Sequence, residues 1–169
     1  MNEETPRFFV VMGVSGCGKT TVGEALAAHM ACPFYDADDF HSPQNVAKMA
    51  SGVPLNDDDR APWLASLANL IREHLDRGET AVLASSALKK RYRDQLRVND
   101  QVQFVFLDGD FDLIWERMQD RQDHYMKAEM LRSQFEALEA PGEDEAIRIS
   151  IDQTVDEILT QIVETLQED

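Results

Sequence analysis

Gly13-Val14-Ser15-Gly16-Cys17-Gly18-Lys19-Thr20 reads as G-x-x-x-x-G-K-[ST] without a mismatch. Each part of that pattern has a task around a phosphate. Glycines allow the tight turns that aim successive backbone N–H groups at one anion. The lysine brings a flexible charge to the β- and γ-phosphates, and the threonine offers a hydroxyl to Mg²⁺. The flanks decide whether the pattern is more than a glycine-rich turn. Before it, Phe8-Phe9-Val10-Val11-Met12 is a short apolar run suited to a buried strand. After it, Val22, Leu26 and Met30 fall on one helical face. Strand, loop and helix in that order set a helix N-terminus beneath the phosphates. Nucleotide phosphates are therefore expected over Gly13, Val14, Ser15, Gly16, Cys17, Gly18, Lys19, Thr20 and Thr21.

The rest of the chain alternates strand and helix patterns. Strands are predicted at 7–12, 33–35, 80–85, 102–107 and 146–151. Ser42-Pro43 has the look of an N-cap followed by proline at the first helical position, opening a helix to about Ser51. Trp63, Leu64, Leu67, Leu70, Ile71 and Leu75 mark the next helix, which Gly78 ends. Further helices are predicted at 89–98, 110–121 and 128–138, and Val155, Ile158, Leu159, Ile162, Val163 and Leu166 line the last. Such alternation gives a parallel sheet covered on both faces, with ligands bound beyond the carboxyl ends of the strands.

The 169 residues suit one domain, and 43% hydrophobic content is an ordinary globular value. With 16 Lys+Arg against 32 Asp+Glu, the net charge of -16 argues against nucleic acid and anionic membranes as partners. An enzyme of anionic phosphates must then gather cations locally. Lys89, Lys90, Arg91, Arg93 and Arg97 form one such cluster, and Arg117, Arg121 and Lys127 another. Two cysteines make no disulfide framework, and neither a leader pattern nor an 18-residue apolar run is present. The expected setting is the cytoplasm.

Among proteins with this loop, GTPases are disfavoured. No Asp precedes a Gly by three positions, and no Asn-Lys pair exists to read guanine. No L-S-G-G-Q transporter signature occurs either, and the chain is short for a motor. A compact kinase of a small molecule remains. The second strand ends in Asp36-Ala37-Asp38-Asp39, across the cleft from the loop. One carboxylate there can take a proton from an acceptor hydroxyl, and another can stand behind Mg²⁺. Ser85 to Arg93 offers hydroxyls and bases to an anionic acceptor. Arg117 and Arg121, four apart, share a helical face from which they could close on the transferring phosphoryl.

Several stretches resemble the small gluconate kinases (gluconokinases). They are Met12–Gly16 with the rest of the loop, Asp38-Asp39-Phe40-His41, Lys48 to Leu64, Ser86-Ala87-Leu88-Lys89-Lys90 with Tyr92-Arg93-Asp94, and Ser133-Gln134-Phe135-Glu136. The Lys48–Leu64 block is the most specific and separates this family from shikimate and nucleoside-monophosphate kinases. The resemblance implies a three-layer α/β P-loop kinase fold, with five parallel strands and the first strand central. It implies one domain over 1–169 with a mobile lid near 117–134. It also implies transfer of a phosphoryl from ATP, with Mg²⁺, to the C6 hydroxyl of D-gluconate. Lys19, Asp38 and Arg121 would be catalytic, Asp38 accepting the hydroxyl proton. Thr20 and, through water, Asp36 would hold Mg²⁺. Arg117 and Arg121 would reach the nucleotide. Asp38, His41, Lys48, Arg60, Ser86, Lys89, Lys90, His124 and Gln134 would meet the acceptor. Members are often homodimers, which is the expectation here. Rival readings are a kinase of another small hydroxy acid, shikimate-like, and a nucleotide-binding regulator without turnover. The Lys48–Leu64 block argues against the first, and the joint presence of Lys19, Thr20 and Asp38 against the second.

Cys17 stands where serine or alanine is commoner. A thiol at a helix N-terminus can have a lowered pKa and oxidise readily. The weightier reading is a small loop residue whose N–H alone matters.

Overall fold

The computed structural model describes residues 7–119 and 128–167. Strands β1 (Phe8–Met12), β2 (Phe34–Asp36), β3 (Ala81–Ala84), β4 (Val102–Asp108) and β5 (Ala146–Ser150) form one parallel sheet in the order β2-β3-β1-β4-β5. The central place of β1 follows from its sequence. Five consecutive apolar residues, each at most 1% exposed, need cover on both faces and a neighbour on both edges. Phe8 pairs in register with Ala81 on one side and Val102 on the other.

Seven helices cover the sheet among the described residues: α1 (Lys19–Met30), α2 (Pro43–Ala50), α3 (Asp57–Asp76), α4 (Lys90–Leu96), α5 (Phe111–Gln119), α6 (Ala128–Ala137) and α7 (Val155–Gln167). Alternation along each strand sorts the side chains into two cores. Phe9, Val11, Val105 and Leu107 meet Leu26 of α1 and Ile158 and Ile162 of α7. Phe8, Val10, Met12 and Phe104 meet Leu64, Leu67 and Ile71 of α3 and Leu96 of α4. The three-layer α/β fold is as expected, with strand and helix bounds within a few residues.

Two details depart from the expectation. A 3-10 turn over Ala37–Phe40 follows β2, capped by the Asp36 side chain, which accepts a hydrogen bond from the Asp38 N–H at 2.9 Å. Helix α3 begins at Asp57, ahead of the apolar pattern that starts at Trp63. A capping box opens it: Asn56 Oδ1 accepts from the Asp59 N–H and Asp59 Oδ2 from the Asn56 N–H. Asp57, Asp58 and Asp59 then face the positive end of the helix dipole. Pro62 lies inside the helix near that end, where the carbonyl it cannot bond belongs to exposed Asp58.

The strand order divides the chain. Strands β2 and β3 lie to one side of β1, and β4 and β5 lie to the other. Both sides are tied together by Arg93 of α4, which is 1% exposed. Its guanidinium donates to the Ala87 carbonyl at 2.8 Å, the Leu88 carbonyl at 3.1 Å and the Glu139 carbonyl at 2.7 Å, and pairs with the Glu145 carboxylate. A buried charge persists when its donors are satisfied in this way.

Candidate active site

The loop between β1 and α1 is shaped by its glycines. Gly18 takes φ +98° and caps α1 from the left-handed region, a conformation that a side chain would strain. A Cβ on Gly13 would lie 2.7 Å from Cys17 Sγ and 2.9 Å from the Leu107 carbonyl. The Gly13 N–H donates to the Ser86 carbonyl at 3.3 Å, tying the loop to the end of β3. Lys19 Nζ bridges the Gly13 and Val14 carbonyls at 3.0 and 3.1 Å. The ammonium therefore lies along the loop it is expected to serve.

Cys17 is 2% exposed and packs in the core with Val14, Val22 and Met118. Desolvation raises its pKa, against the opposing pull of the Lys19 charge and the backbone N–H groups. This corrects the low-pKa reading. The helix N-terminus is present, but the thiol points into apolar surroundings.

Lys19, Thr20, Thr21, Asp36, Asp38 and Ser86 line one cleft with Ser15, Gly16 and Gly18. Ser85 lines it too, and its buried hydroxyl has no hydrogen-bond partner among the described residues. Thr20 and Asp36 also line the adjoining cavity with Glu24 and Tyr35. Partial desolvation raises the Asp38 pKa above the usual carboxylate value, and the Asp36 charge adds to this. The His41 and Lys19 charges pull it back down. A carboxylate with a raised pKa is a better proton acceptor than an ordinary one.

Beyond Asp38 a chain of side-chain contacts runs from the turn to α3 and α4. The His41 ring stacks on Trp63 with centroids 4.3 Å apart and planes 15° from parallel. Asn45 Nδ2 donates to the Asp59 carbonyl at 2.8 Å and approaches His41 Nδ1 at 3.5 Å. Burial lowers the His41 pKa, the Asp38 charge raises it, and the Arg60 charge lowers it. Arg60 donates to the Tyr92 hydroxyl at 3.3 Å and lies over the Tyr92 ring, 5.6 Å from its centroid. That hydroxyl in turn donates to Asp57 Oδ1 at 2.7 Å, and Arg91 closes on the same carboxylate at 2.8 Å.

The expected acceptor cations are not all brought together. Lys48 pairs with Asp59 at 2.6 Å and so braces α2 against α3. Lys90 turns to Asp94 on the exposed face of α4, while its N–H donates to Glu139. Lys89 is half-buried at the N-cap of α4, next to the Ser86–Leu88 turn. Gln134, expected beside the acceptor, instead clasps the phosphate loop. Its Oε1 accepts from the Ser15 N–H at 2.6 Å and its Nε2 donates to Ser15 Oγ at 2.8 Å. Arg117 donates to the Ile151 carbonyl at 2.7 Å, past the end of β5. Arg121 and His124 lie outside the described residues, as does the 120–127 part of the expected lid. Trp63 and Tyr92 received no role from the sequence. Trp63 counted there only as a helix-face residue within the Lys48–Leu64 block, and Tyr92 only as part of the Ser85–Arg93 segment.

The family model described as shikimate kinase matches residues 15–167. Gluconokinase of Gluconobacter oxydans is 46% identical over 96% of this chain and 92% of its own length. The crystal structure of a gluconokinase from Sinorhizobium meliloti 1021 superimposes with a TM-score of 0.88 at 40% identity, covering 98% of this chain and 94% of that one. Shikimate kinase from Aquifex aeolicus is far more distant. At 17% identity and a TM-score of 0.65, over 95% of this chain and 96% of that one, it shares the fold alone.

Proposed function

The chain belongs to the shikimate kinase family and, by the identity of its relatives, to the gluconokinases within it; from that premise we propose that it transfers the γ-phosphoryl of ATP to the C6 hydroxyl of D-gluconate. The observation that carries the proposal is the pairing of two charges in one cleft. Lys19 lies along the phosphate loop, and Asp38, with its raised pKa, lines the same cleft.

In this reading Asp38 takes the proton of the C6 hydroxyl as the new O–P bond forms. The bond from the γ-phosphorus to the β,γ-bridging oxygen breaks, and ADP leaves with the electron pair. Lys19 would leave its carbonyl partners for the β- and γ-phosphates and offset the charge that gathers there. Arg60, steadied by Tyr92, suits the gluconate carboxylate, which a guanidinium grips with two parallel hydrogen bonds. Ser86 lines the cleft with Asp38, and Lys89, at the N-cap of α4, would add a second cation. His41 would offer a hydrogen-bonding ring nitrogen to a hydroxyl-rich acceptor.

The oxygen donors around Thr20 fit Mg²⁺. The Thr20 hydroxyl, the Asp36 carboxylate and the unpartnered Ser85 hydroxyl are all hard ligands. Held there with ATP, Mg²⁺ would supply neutralisation of the phosphate charge. The chain would act as one domain with a lid over 117–134, in the cytoplasm, as a homodimer. No helix among the described residues is long and apolar enough to cross a membrane.

The deciding experiment supplies ATP, Mg²⁺ and D-gluconate and measures 6-phosphogluconate directly. Shikimate and other aldonates run alongside. Turnover of gluconate well above every other acid supports the reading, and preference for shikimate overturns it.

A further inference from the structure

We propose that Trp63 is a positioning residue for phosphoryl transfer, clamping at both ends the short turn that carries Asp38. At the near end its indole N–H donates to the Ala37 carbonyl at 2.7 Å. At the far end its ring stacks on His41. Asp38 sits between these contacts, one residue beyond Ala37 and three before His41.

The turn needs an outside brace because of where it lies. Strand β2 is three residues long and stands at the sheet edge, paired on one side only, with β3. Short edge strands hold their ends weakly. The local bonds do not reach a rigid element. Asp38 N–H goes to Asp36 Oδ1, and the Asp38 carbonyl accepts from the His41 N–H at 3.4 Å. Trp63, by contrast, is seated on α3, whose Leu64, Leu67 and Ile71 are anchored in the core under β1. It thus ties the turn to the element that also bears Arg60. Ala37 is 1% exposed, so its carbonyl has little water to turn to if the indole is lost.

The inference rests on Asp38 being the base, so Asp38→Asn is measured beside the Trp63 variants. Trp63→Phe keeps a ring against His41 and removes the N–H. It is expected to lower kcat about tenfold by displacing Asp38 a fraction of an ångström, with gluconate KM and ADP affinity within about twofold of wild type. Trp63→Leu removes both contacts and is expected to raise gluconate KM as well. A second readout does not depend on turnover. In a Trp115→Phe background, Trp63 emission is expected to be quenched as His41 becomes protonated, an effect that His41→Asn abolishes. Around that imidazole stand Asp38 on its own turn, Asn45 of α2 and Arg60 of α3.

Unchanged kcat in Trp63→Phe overturns the proposal. So does loss of ADP affinity in step with kcat, which marks general loosening, and so does emission indifferent to His41. If Asp38→Asn keeps full kcat, the base assignment fails instead, and the two failures are told apart.

Discussion

The two walls of the cleft are built from different materials. The phosphate loop is a backbone device: glycine conformations shape it, and its N–H and carbonyl groups carry the contacts that matter. The opposite wall, from Asp36 to Tyr92, is a side-chain device. Trp63, Asn45, Asp57 and Tyr92 hold the groups that would touch the acceptor. A backbone cradle suits a ligand part common to all nucleotides. A side-chain wall can be altered one residue at a time, which is what acceptor choice requires.

That contrast can be broken at several points. The largest effect is expected from Lys19→Ala, the one loop side chain set to meet developing charge. Turnover should fall roughly a thousandfold, and activity within tenfold of wild type would remove Lys19 from its role. Asp38→Asn comes next. Its kcat should drop about a hundredfold while calorimetric ADP affinity is kept, and a variant that merely binds nucleotide poorly would contradict the base assignment. The same carboxylate predicts a pH effect. The base works ionised, and its pKa is raised, so kcat/KM should fall with decreasing pH along a limb above the ordinary carboxylate range. A limb at or below that range would show that Asp38 is not the titrating group.

Arg60→Ala should act on the acceptor alone. Loss of a charge-assisted contact predicts a gluconate KM about tenfold higher, with ATP KM held. Equal rises in both would blur the division between the walls. The smallest effect is expected from Cys17→Ser. A buried thiol with a raised pKa is a poor nucleophile. Wild type and variant should lose activity to peroxide at the same rate, and protection by serine would restore the redox reading.

The same contrast explains what could be read from the sequence. The loop was legible because backbone geometry leaves a spaced glycine signature, and the sheet because β1 and Phe104–Leu107 of β4 are continuous apolar runs. The 3-10 turn was not, since four residues carry no period. The early start of α3 was hidden by Pro62 and three aspartates, which read as a loop until the Asn56 capping box is seen. On the acceptor wall the residue types were visible but their directions were not. Lys90 turned outward to Asp94 because that carboxylate is one helical turn away, and Lys48 found Asp59 across an interhelical gap. Gln134 reached Ser15 over 119 positions of sequence, a distance at which local pattern carries no information.

Arg93 has a consequence in time rather than in affinity. Its pairing with Glu145 spans 52 positions, enclosing β4, α5 and α6. Closing so long a loop costs more chain entropy than a contact within one helix, so the pairing is expected to form after the local ones, late in folding. Loosening such a contact leaves the approach to the native state nearly untouched and quickens departure from it. A single buried guanidinium thus acts as a clasp on the lifetime of the folded chain, setting how long the cleft persists once it has formed.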